Sequence, residues 1–142
     1  MIAVDTNILV YAHREEFSLH LQAKDRLIAL AESPDPWALP VFCMTEFLRV
    51  VTHPKLFDPP TAVEEATSAI GNLLESPSLL VLTPGENFWR LLNDTIRRSG
   101  VRGNLIYDAQ IVAVCREYGV ADVLSEDRDF TRFDSINLQT LV

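Results

Sequence analysis

Short apolar runs that stop abruptly at polar or acidic residues, separated by longer stretches of helical spacing, constrain this chain more than any other feature. Ile2-Ala3-Val4 ends at Asp5, and Asp122-Val123-Leu124 runs into Ser125-Glu126-Asp127. Leu79-Leu80-Val81-Leu82 is a third such run, and Ile136 to Leu141 is a candidate fourth strand. Runs this short are buried strands rather than helices. Between them, Ser18 precedes a helical pattern from Leu19 to Ala31 that Ser33-Pro34-Asp35-Pro36 ends. Phe42 to Val51 reads as a mostly buried helix closed by His53-Pro54, and Pro59-Pro60-Thr61 opens another through Leu74. Thr83-Pro84-Gly85-Glu86 has the form of a capping box, predicting a helix to about Arg98. A turn at Gly100 and Gly103 leads to a helix from Asn104 to about Tyr118, with Gly119 at its C′ position. Such alternation predicts an α/β protein with a mainly parallel sheet.

A length of 142 residues suits one domain, 1–142, and 48% apolar content is enough to bury a real core. The apolar runs fall far short of the roughly 20 residues a bilayer-spanning helix needs. Met1-Ile-Ala-Val-Asp5 has no basic region of the kind that opens a secretion signal, so a cytoplasmic location is expected. Cys43 and Cys115, far apart and in apolar settings, are expected to be buried thiols in a reducing compartment. The net charge of −8 excludes a polybasic nucleic-acid binder. It does not exclude a nucleic-acid enzyme, because excess carboxylates can be cation ligands and a bound divalent ion reverses the local sign.

Parallel α/β sheets place their functional crevice outside the carboxyl ends of the strands. If the strands before Asp5 and Ser125 are neighbours, Asp5, Asp127 and Asp129 face one crevice. Glu46 and Asp108 lie within apolar helices, where a charge is costly unless paired or metal-bound. Asn104 and Asp108 are four apart and share a helix face. Simpler roles exist for each: Asp5 as a helix N-cap, Asp108 as an answer to the helix dipole, Glu46 as a partner of Arg49, and Asp127 and Asp129 as solvated loop acids. Together they are harder to dismiss, since two carboxylates about 4 Å apart repel by roughly 4 kcal/mol at an effective dielectric near 20. With no Cys or His cluster, oxygen ligands favour Mg²⁺ or Mn²⁺. Such an ion lowers the pKa of a bound water and polarises a phosphoryl oxygen, so phosphodiester hydrolysis is the natural reaction class. Candidate phosphate contacts are Arg97, Arg98 and Arg102 before the Asp108 helix, His53 and Lys55 after the Glu46 helix, and Arg128 beside Asp127, with Arg132 a little further on.

The order strand–Asp5-Thr6-Asn7, helical Glu46, Asn104-x-x-x-Asp108-Ala109 and Ser125-x-Asp127-x-Asp129-Phe130 resembles the acidic signature of PIN-domain ribonucleases. Small size, and Val51-Thr52-His53-Pro54 followed by Phe57-x-x-Pro60, resemble the VapC-type toxins of toxin–antitoxin pairs. The resemblance implies a three-layer α/β/α sandwich and Mg²⁺- or Mn²⁺-dependent endoribonuclease activity on RNA, with tRNA and ribosomal RNA among the family's targets. It implies homodimers, and inhibition by a VapB-type antitoxin whose tail occupies the acidic groove. By match, Asp5, Glu46 and Asp108 are the core ligands and Asp127 the fourth acid, with Asp129 either a ligand or a support for its loop. Thr6, Asn7, Asn104 and Ser125 stand behind them, Ser125 taking a position that is Thr in many relatives. The competing functions are a non-catalytic binding module of the same fold and a phosphatase or phospho-receiver with Asp5 as nucleophile. The last normally has a second Asp two residues on, where this chain has Asn7.

Overall fold

The computed structural model describes residues 1–142. Five parallel strands form one sheet in the order β3-β2-β1-β4-β5. They are β1 (Ile2–Val4), β2 (Trp37–Pro40), β3 (Leu79–Leu82), β4 (Asp122–Leu124) and β5 (Asn137–Gln139). The helices are α1 (Thr6–His13), α2 (His20–Glu32), α3 (Val41–Val51), α4 (Val63–Leu74), α5 (Phe88–Ser99) and α6 (Leu105–Glu117). They flank the sheet and complete the expected three-layer α/β/α sandwich.

The central strands β1 and β2 are shielded on both faces: Ala3, Val4, Trp37, Ala38 and Leu39 are all fully buried. This is why they read as unbroken apolar runs rather than alternating ones. β1 lies between β2 and β4, with Ala3 opposite both Ala38 and Val123. The chain leaves β1 toward β2 and β3, then returns to the other side of β1 as β4. The crevice at that reversal is where open α/β sheets hold their ligands. In-register pairing of Val4 with Leu124 delivers Asp5 and Ser125 to the same level of the sheet.

Strand β2 does not stand out in the sequence. Trp37-Ala-Leu-Pro40 follows one proline and ends on another, and its last residue passes directly into α3 without a loop. Helix α3 is also less enclosed than its composition predicts, burying one stripe of Cys43, Phe47 and Val51 at four-residue spacing. Helix α6 is enclosed on nearly every side, with Ala109 and the five residues Ile111 to Cys115 all buried. Its end closes as expected. Gly119 adopts φ 71°, its N–H bonds Arg116 O at 3.1 Å, and the Val120 N–H bonds Cys115 O at 2.9 Å, a Schellman pair.

Two expected helix starts are displaced. Thr61 does not open α4, which begins at Val63; its hydroxyl lies 3.2 Å from both His13 Nε2 and Arg14 Nη1. The Thr83–Glu86 capping box does not form, and α5 begins at Phe88. The free N–H groups there donate instead to a distant carboxylate, Gly85 N to Glu117 Oε1 at 2.9 Å and Asn87 N to Glu117 Oε2 at 3.2 Å. Glu117→Ala is expected to cost about 1–2 kcal/mol, the range of a lost helix cap, read as a lower urea midpoint at unchanged slope.

Candidate active site

Asp5 is the residue on which both sides of the reversal meet. It immediately follows β1, caps α1 and is only 6% exposed. The Thr6 N–H donates to its Oδ1 at 2.8 Å, and Ser125 Oγ donates to its Oδ2 at 2.7 Å. Ser125, the first residue after β4, also accepts from Asn7 Nδ2 at 3.0 Å and from the Asp127 N–H at 2.9 Å. One donor and two acceptors exhaust what a hydroxyl can do. Asn7 completes the brace by accepting the Glu126 N–H at 3.3 Å. Thr6 is buried behind Asp5, its hydroxyl without a partner.

After β4 the chain makes a 3₁₀ turn, Arg128–Arg132, that Asp127 caps by accepting the Asp129 N–H at 2.9 Å. The turn is anchored by Phe130, which is fully buried. It brings Asp127 and Asp129 to Asp108 in the first turn of α6. One carboxylate oxygen from each of the three lies within 4.8 Å of the others. The support of the loop therefore falls to Asp127, while Asp129 joins the cluster and also holds Arg132 Nε at 3.1 Å.

An open groove of about 840 Å³ collects these groups, with Glu46 and Arg49 from α3, Asn104, Tyr107, Asp108 and Gln110 from α6 and its cap, and Asp127 and Asp129 in its lining. Asp5, buried, is not part of the lining but acts electrostatically on Asp108. Burial, above all, pushes Asp108 up to about 7, reinforced by Asp127, Asp5, Asp129 and Glu46. Burial likewise pushes Asp5 up to about 6, against the pull of its Ser125 and Thr6 hydrogen bonds. Glu46 is raised as well, chiefly by burial, with Arg49 drawing it back. No ion pair joins Glu46 to Arg49, and none reaches Asp5, Asp108 or Asp127. The donor set is all oxygen and crowded, offset only by an exposed Asp129–Arg132 pair and the pull of Arg49 on Glu46, which fits a hard divalent cation. Asp108, Asp127 and Asp129 are placed to hold one, with Asp5 and Glu46 within electrostatic reach.

The expected phosphate contacts are elsewhere: His53, Lys55, Arg97, Arg98, Arg102 and Arg128 do not line the groove. Arg98 is neutralised by Asp134 at 2.6 Å and Asp94 at 3.6 Å. Arg97 bonds Asn93 Oδ1 at 3.1 Å, and His53 Nδ1 accepts the Lys55 N–H at 3.1 Å. The cation that does line the groove, Arg49, is masked in the sequence by its role as a possible partner of Glu46. The three-residue spacing that suggested the pair also puts both on one helix face. Cys43 and Cys115 are buried free thiols, as expected.

Ser125→Ala is expected to weaken Mn²⁺ binding by roughly 10- to 100-fold, the usual effect of removing a group that orients a ligand. Titration calorimetry checks this, and unchanged affinity would show that Asp5 needs no hydroxyl to stay in place.

This fold and acidic crevice define a known class. A family model described as PIN domain matches residues 2–136, and the chain belongs to that family. Its relatives there are VapC proteins. A VapC ribonuclease of Mycobacterium bovis is 38% identical over 133 residues, covering 94% of this chain and 90% of the relative. Ribonuclease VapC48 of Mycobacterium tuberculosis is 32% identical over 135 residues, covering 95% and 93%. Among solved structures, Mycobacterium tuberculosis VapC20, described as a sarcin-ricin loop cleaving toxin, superposes with a TM-score of 0.69 at 21% identity over 96% of this chain and 99% of that one. VapBC2 from Rickettsia felis, bound to a promoter DNA fragment, gives 0.69 at 17% identity over 99% and 98%. At those identities the structures show a shared fold.

Proposed function

We propose that this chain is a Mg²⁺- or Mn²⁺-dependent endoribonuclease and the toxin of a toxin–antitoxin pair. The observation that carries this is the convergence of Asp108, Asp127 and Asp129, with Asp5 and Glu46 beside them and only an exposed Asp129–Arg132 pair to offset the charge. The similarity to VapC ribonucleases supports it. A bound divalent ion supplies a Lewis acid for the phosphoryl oxygen and acidifies the attacking water. Asp108, Asp127 and Asp129 would hold that ion, with Asp5 and Glu46 adding negative charge beside it. Ser125 and the Thr6 N–H fix the Asp5 carboxylate, and Asn7 ties the β1 and β4 ends together. No lysine lines the groove to grip a phosphoryl group, which disfavours an Asp5-nucleophile phosphatase.

The substrate in this reading is a structured cellular RNA, tRNA or ribosomal RNA. The working form is a homodimer held in check by a VapB-type antitoxin whose tail fills the groove, in the cytoplasm where that RNA resides. No helix of the chain is long and apolar enough to cross a membrane. Purified protein is expected to cut a discrete RNA only when Mg²⁺ or Mn²⁺ is present and to stop on chelation. Sequencing RNA 5′ ends after induced expression identifies the target. Cleavage that persists in EDTA, or its absence with both metals, overturns the proposal.

A further inference from the structure

An acidic protein has no general field to draw in RNA, so binding must come from local contacts at the groove. Two side chains of the lining are suited to this and unused by the fold. Arg49, on α3, is the groove's one cation; it is exposed and makes no ion pair. Tyr107, immediately before Asp108 on α6, is 61% exposed and packs against no other aromatic ring. A guanidinium fork grips phosphate oxygens, and a free ring offers a face on which an unstacked base can lie. Both side chains line the same groove as Asp108, Asp127 and Asp129, with Tyr107 next to Asp108 in sequence and Arg49 three residues from Glu46.

We propose that Arg49 and Tyr107 hold one nucleotide of the substrate strand beside the acids, Arg49 by its phosphate and Tyr107 by stacking on its base. The assignment rests on the ribonuclease reading. The two contacts differ in kind. The phosphate contact weakens with salt through counterion release, and the stack does not.

Fluorescence anisotropy with a labelled oligouridylate, in calcium rather than magnesium, tests both. Tyr107→Ala should weaken binding roughly 5- to 150-fold, the span of base–aromatic stacking, and Tyr107→Phe should restore it. The same Ala variant should bind a matching abasic strand as the parent does. Arg49→Gln should reduce the slope of log K against log salt by about 0.7, one phosphate contact on a single strand, a change that Tyr107→Ala should not make. The assignment is overturned if both variants bind like the parent or if Tyr107→Ala loses affinity equally for the abasic strand. It is also overturned if light scattering shows that Tyr107→Ala changes the mass in solution, since the ring would then belong to a contact between copies. A parent that cuts RNA in magnesium while its variants bind unchanged leaves the ribonuclease reading standing and removes this one. A parent that neither binds nor cuts removes both.

Discussion

Asp5→Asn should lower the rate of RNA cleavage by about a thousandfold or more and, at pH 8 without metal, leave the protein more stable than its parent. The first effect follows from the several kcal/mol of transition-state charge stabilisation that a well-held ion supplies. The second follows from burial. The Asp5 carboxyl is pushed from 3.8 to about 6, largely by desolvation. The folded state therefore binds this proton more tightly than the unfolded chain does. Its stabilising contribution is complete below pH 3.8 and is lost as the pH rises through 6. Above that the buried charge costs about 3 kcal/mol. Asparagine removes the charge and retains a carbonyl oxygen for the Thr6 N–H. It also turns an amide donor toward Ser125 Oγ, whose hydrogen-bonding capacity is already used, and the loss of that bond limits the net gain to about 1 kcal/mol, or a few degrees in melting temperature for a chain of this length. Melting curves at pH 5 and pH 8, in EDTA and in Mn²⁺, check the pattern. Mn²⁺ should raise the melting temperature of the parent more at pH 8 than at pH 5, and that of the variant little at either. A variant less stable than the parent at both pH values would mean that Asp5 is held for its capping role alone.

Phe130→Ala should cost about 3–5 kcal/mol, the range for a large aromatic deleted from a close-packed interior. Phe130 is fully buried and packs with Phe133 at a ring-centroid distance of 6.3 Å. Its loss should also reach the chemistry, because the 3₁₀ turn it anchors carries Asp127 and Asp129 to Asp108. Urea unfolding measures the first effect and Mn²⁺ titration calorimetry the second. Lost stability with parental Mn²⁺ affinity would show that the acids are positioned by the Ser125 network and not by the core.

The acids at strand ends were legible because a parallel sheet leaves little choice of where its crevice lies. Once Ile2–Val4 and Asp122–Leu124 are buried strands, Asp5 and Asp127 follow. Asp108 and Glu46 were legible as charges in apolar surroundings. What escaped depends on contacts between distant segments. Strand β2 follows Pro36, ends on Pro40 and gains its identity from pairing with Ala3 and with Leu79 to Leu82. The start of α5 is set by Glu117, 30 and 32 residues away, which overrides the local Thr83–Glu86 signal. Whether Asp127 or Asp129 completes the cluster turns on a 3₁₀ turn that no periodicity announces, and that turn brings both. Arg49 and Tyr107 carried a usable signal. Arg49 shares a helix face with Glu46 at three-residue spacing and Tyr107 immediately precedes Asp108, but neither broke the pattern of an ordinary exposed position.

The register that sets Val4 against Leu124 has a consequence at the level of codons. Loops between the helices can gain or lose residues at little cost, because closure entropy grows slowly with length. The junctions after Val4 and after Leu124 have no such slack. One inserted codon at either would leave the sheet paired and the interior filled, yet carry Asp5 or Ser125 out of step with its opposite number. The loops between helices can thus drift in length, whereas at these two seams a silent-looking indel would disarm the protein without unfolding it.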